Sequence, residues 1–383
     1  MKSSRIAKIA TVALAFGLVL TATPAQAADL QGSGASFPAA LIEACKAPFA
    51  AATTHSYTYA SSSSGTGQSN SDKSIGDFWM SDGAYTAATK RASLIHVPLV
   101  AAPIAILHNV PNSKTLQLSA ETVAKIFSGQ ITKWNDDAIV ADNNRTTTKV
   151  IYVKNGDGTL KKDAKGDPIV LRTQTVQSKV ILPNQKSTVV YRSDSSGTTE
   201  NFTNYLNKSA PSVWTTAKNK VFATGFPGNI NDSANLGRIV GAASSTGVAQ
   251  LAGKTPYSIT YAEVNYAVAN KLKIANLINP AGASVAPDST GVGAFLASAT
   301  QDANGWLTYD YKTTEKGAYP LGIVSYLLAD TKYPNAETAK AVAEYAKFIL
   351  SPACSGKVGA ALGFSVIDGD LLKKSLAQVA KIG

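Results

Sequence analysis

TVVYRSDSSGTTENFTNYL, residues 188–206, holds the reading that decides the fold. Thr188–Arg192 is a β-branched apolar run of the kind that forms a buried strand. A short hydroxyl-rich segment with one glycine follows, and then Phe202, Tyr205 and Leu206 fall at the spacing of one helix face. Strand, small-residue loop and helix in that order indicate an α/β architecture. Helix N-termini carry unpaired N–H groups and partial positive charge, and small residues let a ligand approach them. Arg192 can give two parallel hydrogen bonds to an oxyanion. Asp194 is poorly suited to face an anion and is expected to hold the guanidinium in place. Ser196, Gly197 and Thr198 would supply hydroxyl and amide donors.

The pattern recurs. GSGASFP (32–38) and SSSSGTGQ (61–68) are two further hydroxyl–glycine clusters ahead of helical stretches. Any one of them reads equally well as an ordinary helix cap. Three in one chain, one of them opening on arginine, point to a dehydrated oxyanion site.

Further elements extend the alternation. LSAETVAKIFSGQITKW has Ser119 as a cap, Glu121 in the first turn and Gly129 as a stop. NAETAKAVAEYAKFIL (335–350) is a helix capped by Asn335, and AYPLGIVSYLLAD (318–330) a buried strand. SLIHVPLVAAPIAILHNV (93–110) reads as a buried strand, a proline-marked turn and a second buried strand. Residues 141–187 are polar and turn-rich, the signature of an inserted hairpin or surface loop.

The chain has 383 residues, 45% hydrophobic and 16% charged, enough for two domains with a packed core. Lys2, Arg5 and Lys8 precede the apolar run Ile9–Leu20, and Ala25, Gln26 and Ala27 follow, which predicts a secretory signal peptide over residues 1–27. No cysteine stands at the new N-terminus, so no lipid anchor is indicated there. No later run has membrane-spanning length. The mature chain is expected outside the cytoplasm, periplasmic or secreted. Taking those three cations from the 36 basic residues leaves 33 against 25 acidic, about +8. The charge is scattered, unlike a nucleic-acid-binding face. Cys45 and Cys354 suit one disulfide in an oxidising compartment, or two buried thiols.

Six blocks in order, GSGASFP, SSSSGTG, GDFWMSD (76–82), AKIFSGQITKWND (124–136), YRSDSSGTTENFTNYL (191–206) and SITYAEVNYA (258–267), resemble the phosphate-binding protein of phosphate ABC transporters from about residue 30 to about 350. The resemblance implies a two-lobed periplasmic-binding-protein-like fold, each lobe a central mixed sheet flanked by helices, with phosphate in the cleft between them. Residues 28–106 with 320–383 would form one lobe and 107–319 the other. The implied phosphate ligands are Ser36, Phe37, Ser63, Asp82, Arg192, Ser196, Gly197 and Thr198, with no metal and no cofactor. Ser36 stands where threonine is common in the family. Asp82 would accept a hydrogen bond from a protonated oxyanion and meet only lone pairs on sulfate. Trp79 and Met80 replace the family's usual small residues and are expected either to reshape the pocket or to fill a gap beneath it. The implied partners are phosphate and the permease of an importer, with the binding protein itself a monomer.

Two other classes fit parts of the sequence. One is a binding protein for another tetrahedral oxyanion, or a secreted phosphate scavenger or sensor. The other is a phosphate-ester hydrolase using a cluster serine such as Ser63. His55, His96 and His108 form no metal-binding arrangement, His96 and His108 read as core or edge residues, and no G-x-S-x-G elbow appears, so no catalysis is expected.

Overall fold

A single strand, Leu94–His108, runs through both halves of the molecule and is buried at every position but Ile95. At about 3.3 Å per residue it is roughly 50 Å long. The computed structural model describes residues 27–86, 90–113, 115–156, 160–164, 168–177 and 179–383, with the side chains of 147–150 left aside. Apart from Ala27, the expected leader lies outside the described residues.

Leu94 to Pro103 pair antiparallel with strand Gly322–Asp330. That strand continues antiparallel to Phe78–Ser81, which lies parallel to Asp29–Ala35, itself parallel to Ser56–Ser62. Beyond Pro103 the partners change. Ile104 to His108 pair antiparallel with Ser258–Glu263 and with Lys273–Ile278. Ser258–Glu263 then runs parallel to Thr188–Arg192, which runs parallel to Ile239–Ala242. Each end of the spanning strand therefore belongs to its own mixed sheet, and helices cover both, giving a two-lobed α/β fold.

The strand–turn–strand expected over 93–110 is corrected here: the segment is one strand. Its register slips once, so that Val100 faces Ser325 and Pro98 faces Tyr326. Such a bulge absorbs a residue that cannot donate to the ladder without breaking the strand.

Two aromatic clusters fix helices to these sheets. Phe49, Tyr57, Phe78 and Tyr345 hold helix Ala336–Leu350 against the first sheet, with Phe78 and Tyr345 4.4 Å apart. Phe202 stacks on Tyr261 at 4.3 Å beneath helix Gly197–Ser209. Fully burying a side chain of this size contributes about 1.5–3 kcal/mol. Cys45 and Cys354, both fully buried, are bonded, with Cα atoms 5.7 Å apart. The bond joins the junction of helices Ala39–Ala44 and Lys46–Ala52 to the wide-turned helix Pro352–Gly359. Among the described residues, strands Thr146–Tyr152 and Val170–Gln177 pair with each other, as a two-stranded ribbon apart from both sheets.

Candidate anion-binding site

The three hydroxyl–glycine clusters converge where the two sheets meet. Ser36 follows strand Asp29–Ala35 and is 1% exposed. The ring of Phe37 is buried and meets Phe364 edge-on at 6.4 Å, leaving only its backbone for a ligand. Ser63 caps helix Ser64–Asp72: its Oγ accepts from Thr66 N at 3.1 Å and lies 3.0 Å from Thr66 Oγ1. Ser196 caps helix Gly197–Ser209 in the same way, accepting from Thr199 N at 3.1 Å. Its own N–H is taken by Lys220 O at 2.9 Å, so Ser196 can reach an anion only through its hydroxyl. Gly197 and Thr198 form the first turn, where amides have no intrahelical acceptor.

Arg192 ends its strand and is buried, at 1% exposure. Nε donates to Asp194 Oδ1 at 2.7 Å and Nη2 to Asp194 Oδ2, while Nη1 donates to Ser245 Oγ at 3.2 Å. Burial opposes the Arg192 charge, but the Asp194 carboxylate outweighs it, and the guanidinium pKa is raised. Burial likewise works against the Asp194 charge, and the guanidinium still holds that carboxyl below its ordinary value. Asp194 is anchored in turn by Ser244 N at 3.1 Å.

Asp82 sits one residue past strand Phe78–Ser81. Tyr326 pairs with Ser81, which brings Ser325 beside it. Ser325 Oγ donates to Asp82 Oδ1 at 2.8 Å, and Thr198 Oγ1 donates to Oδ2 at 2.9 Å. The Asp82 N–H donates to Ser64 Oγ at 3.1 Å. Burial pushes the Asp82 carboxyl up to about 6, against the pull of the Ser325 and Thr198 hydroxyls and of Arg192.

Ser36 and Arg192 meet at Ser245, and Ser63's neighbour Ser64 meets Thr198 at Asp82. Glycine permits this approach. Gly65 N donates to Ser195 O at 3.0 Å, and a Cβ on Gly197 would stand 2.6 Å from Ser64 Oγ and 2.7 Å from Gly83 N. A separate cavity of about 370 Å3 borders Asp82 and Gly83 but is lined by Glu200, Asn201, Lys218 and Tyr309 rather than by Ser36, Arg192 or Ser245.

Trp79 and Met80 resolve toward filling space. Both are buried, and Trp79 packs with Tyr85, Leu94 and Leu328, donates to Ile75 O at 2.7 Å and lies under the Arg91 guanidinium. None of these contacts is with a residue of the anion cluster. The histidines are committed elsewhere: the Ala28, Tyr85 and Val110 amides donate to His55, His96 and His108 respectively. Burial drives His96 and His108 down to about 3, so both are neutral.

Three residues of the cluster escaped the sequence reading. Ser245 lies in AASSTG (242–247), a fourth hydroxyl–glycine cluster at the start of helix Ser244–Lys254. Ser325 is the one serine in a strand buried at all nine positions. Glu263, the last residue of the buried strand Ser258–Glu263, accepts from Ser245 Oγ at 3.2 Å.

The pattern of the PBP superfamily domain matches residues 21–353. The chain belongs to the PBP superfamily. Within the superfamily its curated relatives are phosphate-binding proteins. It is 32% identical over 266 residues to phosphate-binding protein PstS2 of Mycobacterium bovis (strain BCG / Pasteur 1173P2), covering 68% of this chain and 60% of that protein. It is 30% identical over 298 residues to phosphate-binding protein PstS 3 of Mycobacterium leprae (strain TN), covering 74% and 68%. This chain thus spans about 60% of the length of the first of these relatives. A solved structure of a high-affinity periplasmic phosphate-binding protein, PfluDING, bound with phosphate, superposes with a TM-score of 0.64 at 22% identity over 91% of this chain and 93% of that one. An ancestral soluble variant of the Human Phosphate Binding Protein gives 0.65 at 20% identity over the same shares. At these identities the likeness carries the fold of this PBP superfamily member.

Proposed function

We propose that this protein binds inorganic phosphate outside the cytoplasm and delivers it to an ABC-type importer. The observation that carries the reading is a buried meeting of donors and one acceptor. The Arg192 guanidinium, the Ser36 and Thr198 hydroxyls and the first amides of helix Gly197–Ser209 converge beside Asp82, with Ser245 bridging Ser36 and Arg192. Donors of this kind replace the hydration shell of an oxyanion. Asp82, already holding two hydroxyls, offers its remaining lone pairs to a P–OH and repels a fully deprotonated ion. The names of the relatives support the same ligand.

The lobes are assigned as 28–106 with 320–383, and 107–319, joined where Leu94–His108 changes partners, and we take them to hinge shut over the ligand. The closed face would be read by the importer's permease, and the chain itself acts as a monomer without catalysis. The hydrolase reading would need a base beside Ser63, and all three histidines are engaged elsewhere. A crystal structure with phosphate tests the proposal. Phosphate between Ser36, Arg192 and Thr198 supports it; an anion bound elsewhere, with this cluster unchanged, contradicts it.

A further inference from the structure

Ser245 Oγ is the hub of the cluster. It accepts from Arg192 Nη1 and from Ser36 Oγ, and donates to Glu263 Oε1, each at 3.2 Å. Ser245 N also donates to Ser36 Oγ, at 3.1 Å. The full capacity of this hydroxyl is thereby used, and Glu263 is the group that accepts its hydrogen bond. Glu263 is 1% exposed, and its second oxygen, Oε2, is buried with no hydrogen-bond partner among the described residues. A buried carboxyl oxygen left unpaired beside three anion-site residues is costly unless it meets a ligand.

The charges around it decide its state. Arg192 faces Glu263 from the end of strand Thr188–Arg192, but Asp194 already engages that guanidinium through two nitrogens. Asp82 faces it from beyond strand Phe78–Ser81, and Tyr266 from helix Asn265–Ala269. An ionised Glu263 would add a further negative charge to Asp82, Asp194 and the bound anion around a single guanidinium.

Building on the phosphate reading, we propose that Glu263 serves the site as a neutral carboxylic acid: Oε1 orients the Ser245 hydroxyl, and the Oε2 proton is donated to the bound oxyanion. The two carboxyls of the site then divide the work, Asp82 accepting a proton from the ligand and Glu263 giving a hydrogen bond to it, each set by its surroundings. Burial first, and then the Asp82 charge, push the Glu263 carboxyl up to about 8, with Arg192 and Ser245 pulling the other way. A bound anion raises it further, so phosphate affinity should fall once the pH passes the ligand-free value.

The test compares wild type with Glu263→Gln, which keeps an acceptor and a donor but cannot ionise. Phosphate affinity is measured by calorimetry from about pH 6.5 to about pH 9.5. The ratio of wild-type to variant affinity is expected to fall about tenfold per unit by which the anion raises the Glu263 pKa. A ratio constant with pH overturns the inference. The melting temperature of the ligand-free proteins gives a second reading. A carboxyl raised from 4.5 to about 8 makes wild type lose stability relative to the variant as pH rises across that interval, levelling above it. A difference flat with pH also overturns the inference. Should wild type bind no phosphate at any pH, the functional reading fails, while the melting curves still report on Glu263.

Discussion

Thr198 Oγ1 donates to Asp82 Oδ2 at 2.9 Å, closing a contact between residues 116 apart in sequence, one in the first turn of helix Gly197–Ser209 and the other just past strand Phe78–Ser81. Asp82→Asn keeps the shape and removes the charge. The ratio of phosphate to sulfate affinity should narrow by about tenfold or more, because a buried like-charge contact costs several kcal/mol. Competition dialysis reads the ratio, and an unchanged value removes Asp82 from selectivity. The same variant tests the carboxyl's surroundings. Folding raises the Asp82 pKa from 3.8 to about 6, so wild type should lose stability relative to the variant as pH rises through that window and stay level above it.

Arg192 and Asp194 form a two-point pair that leaves Nη1 for Ser245 and the ligand. Arg192→Ala should weaken phosphate binding by about 2–5 kcal/mol, the usual effect of truncating one partner of a buried charged hydrogen bond. Arg192→Lys should rescue little, since an ammonium cannot hold Asp194 through two parallel bonds. Asp194→Asn, which loosens the guanidinium without removing it, should fall between wild type and Arg192→Ala. Calorimetry orders the three; full binding by Arg192→Ala would remove the guanidinium from the site.

Gly197 is fixed by space. An added Cβ would meet Ser64 Oγ at 2.6 Å, Gly83 N at 2.7 Å and Asp82 Cβ at 2.9 Å. Gly197→Ala should therefore hold the two sheets apart and lower phosphate affinity by about tenfold or more, the direction expected when overpacking costs about 1–3 kcal/mol. Small-angle scattering with phosphate present should show a more open molecule than wild type. Wild-type affinity with a wild-type scattering curve would contradict this.

Legibility in the sequence followed the physics of each element. Thr188–Arg192, helix Ala120–Phe127 and helix Ala336–Leu350 were readable because apolar period and cap agree: Ser119 and Asn335 do accept from Thr122 N and Glu337 N. The run through Pro98 and Pro103 was misread because proline looks the same in a turn as at a bulge, and only the register against Gly322–Asp330 separates them. The position of Asp82 came from resemblance alone. Ser325 and Glu263 were missed because a polar residue in a buried strand has no local signature, and Ser245 because its cluster looks like any other helix start. Their roles exist only through pairings such as Tyr326 with Ser81, which bring distant segments side by side.

The ribbon of Thr146–Tyr152 and Val170–Gln177 begins and ends with Thr146 opposite Gln177. Its removal leaves two chain ends already adjacent, and surface insertions of this kind contribute little to the fold around them. Replacing residues 146–177 with a short glycine–serine turn should leave phosphate affinity within about twofold of wild type, as expected of a surface loop. A large loss on dialysis would tie the ribbon to the binding site.

Titration calorimetry of the wild-type protein with phosphate and, separately, with sulfate tests the central claim most directly. The account predicts one saturable phosphate site per chain and no heat from sulfate under the same conditions. Equal binding of the two ions, or binding of neither, would contradict it.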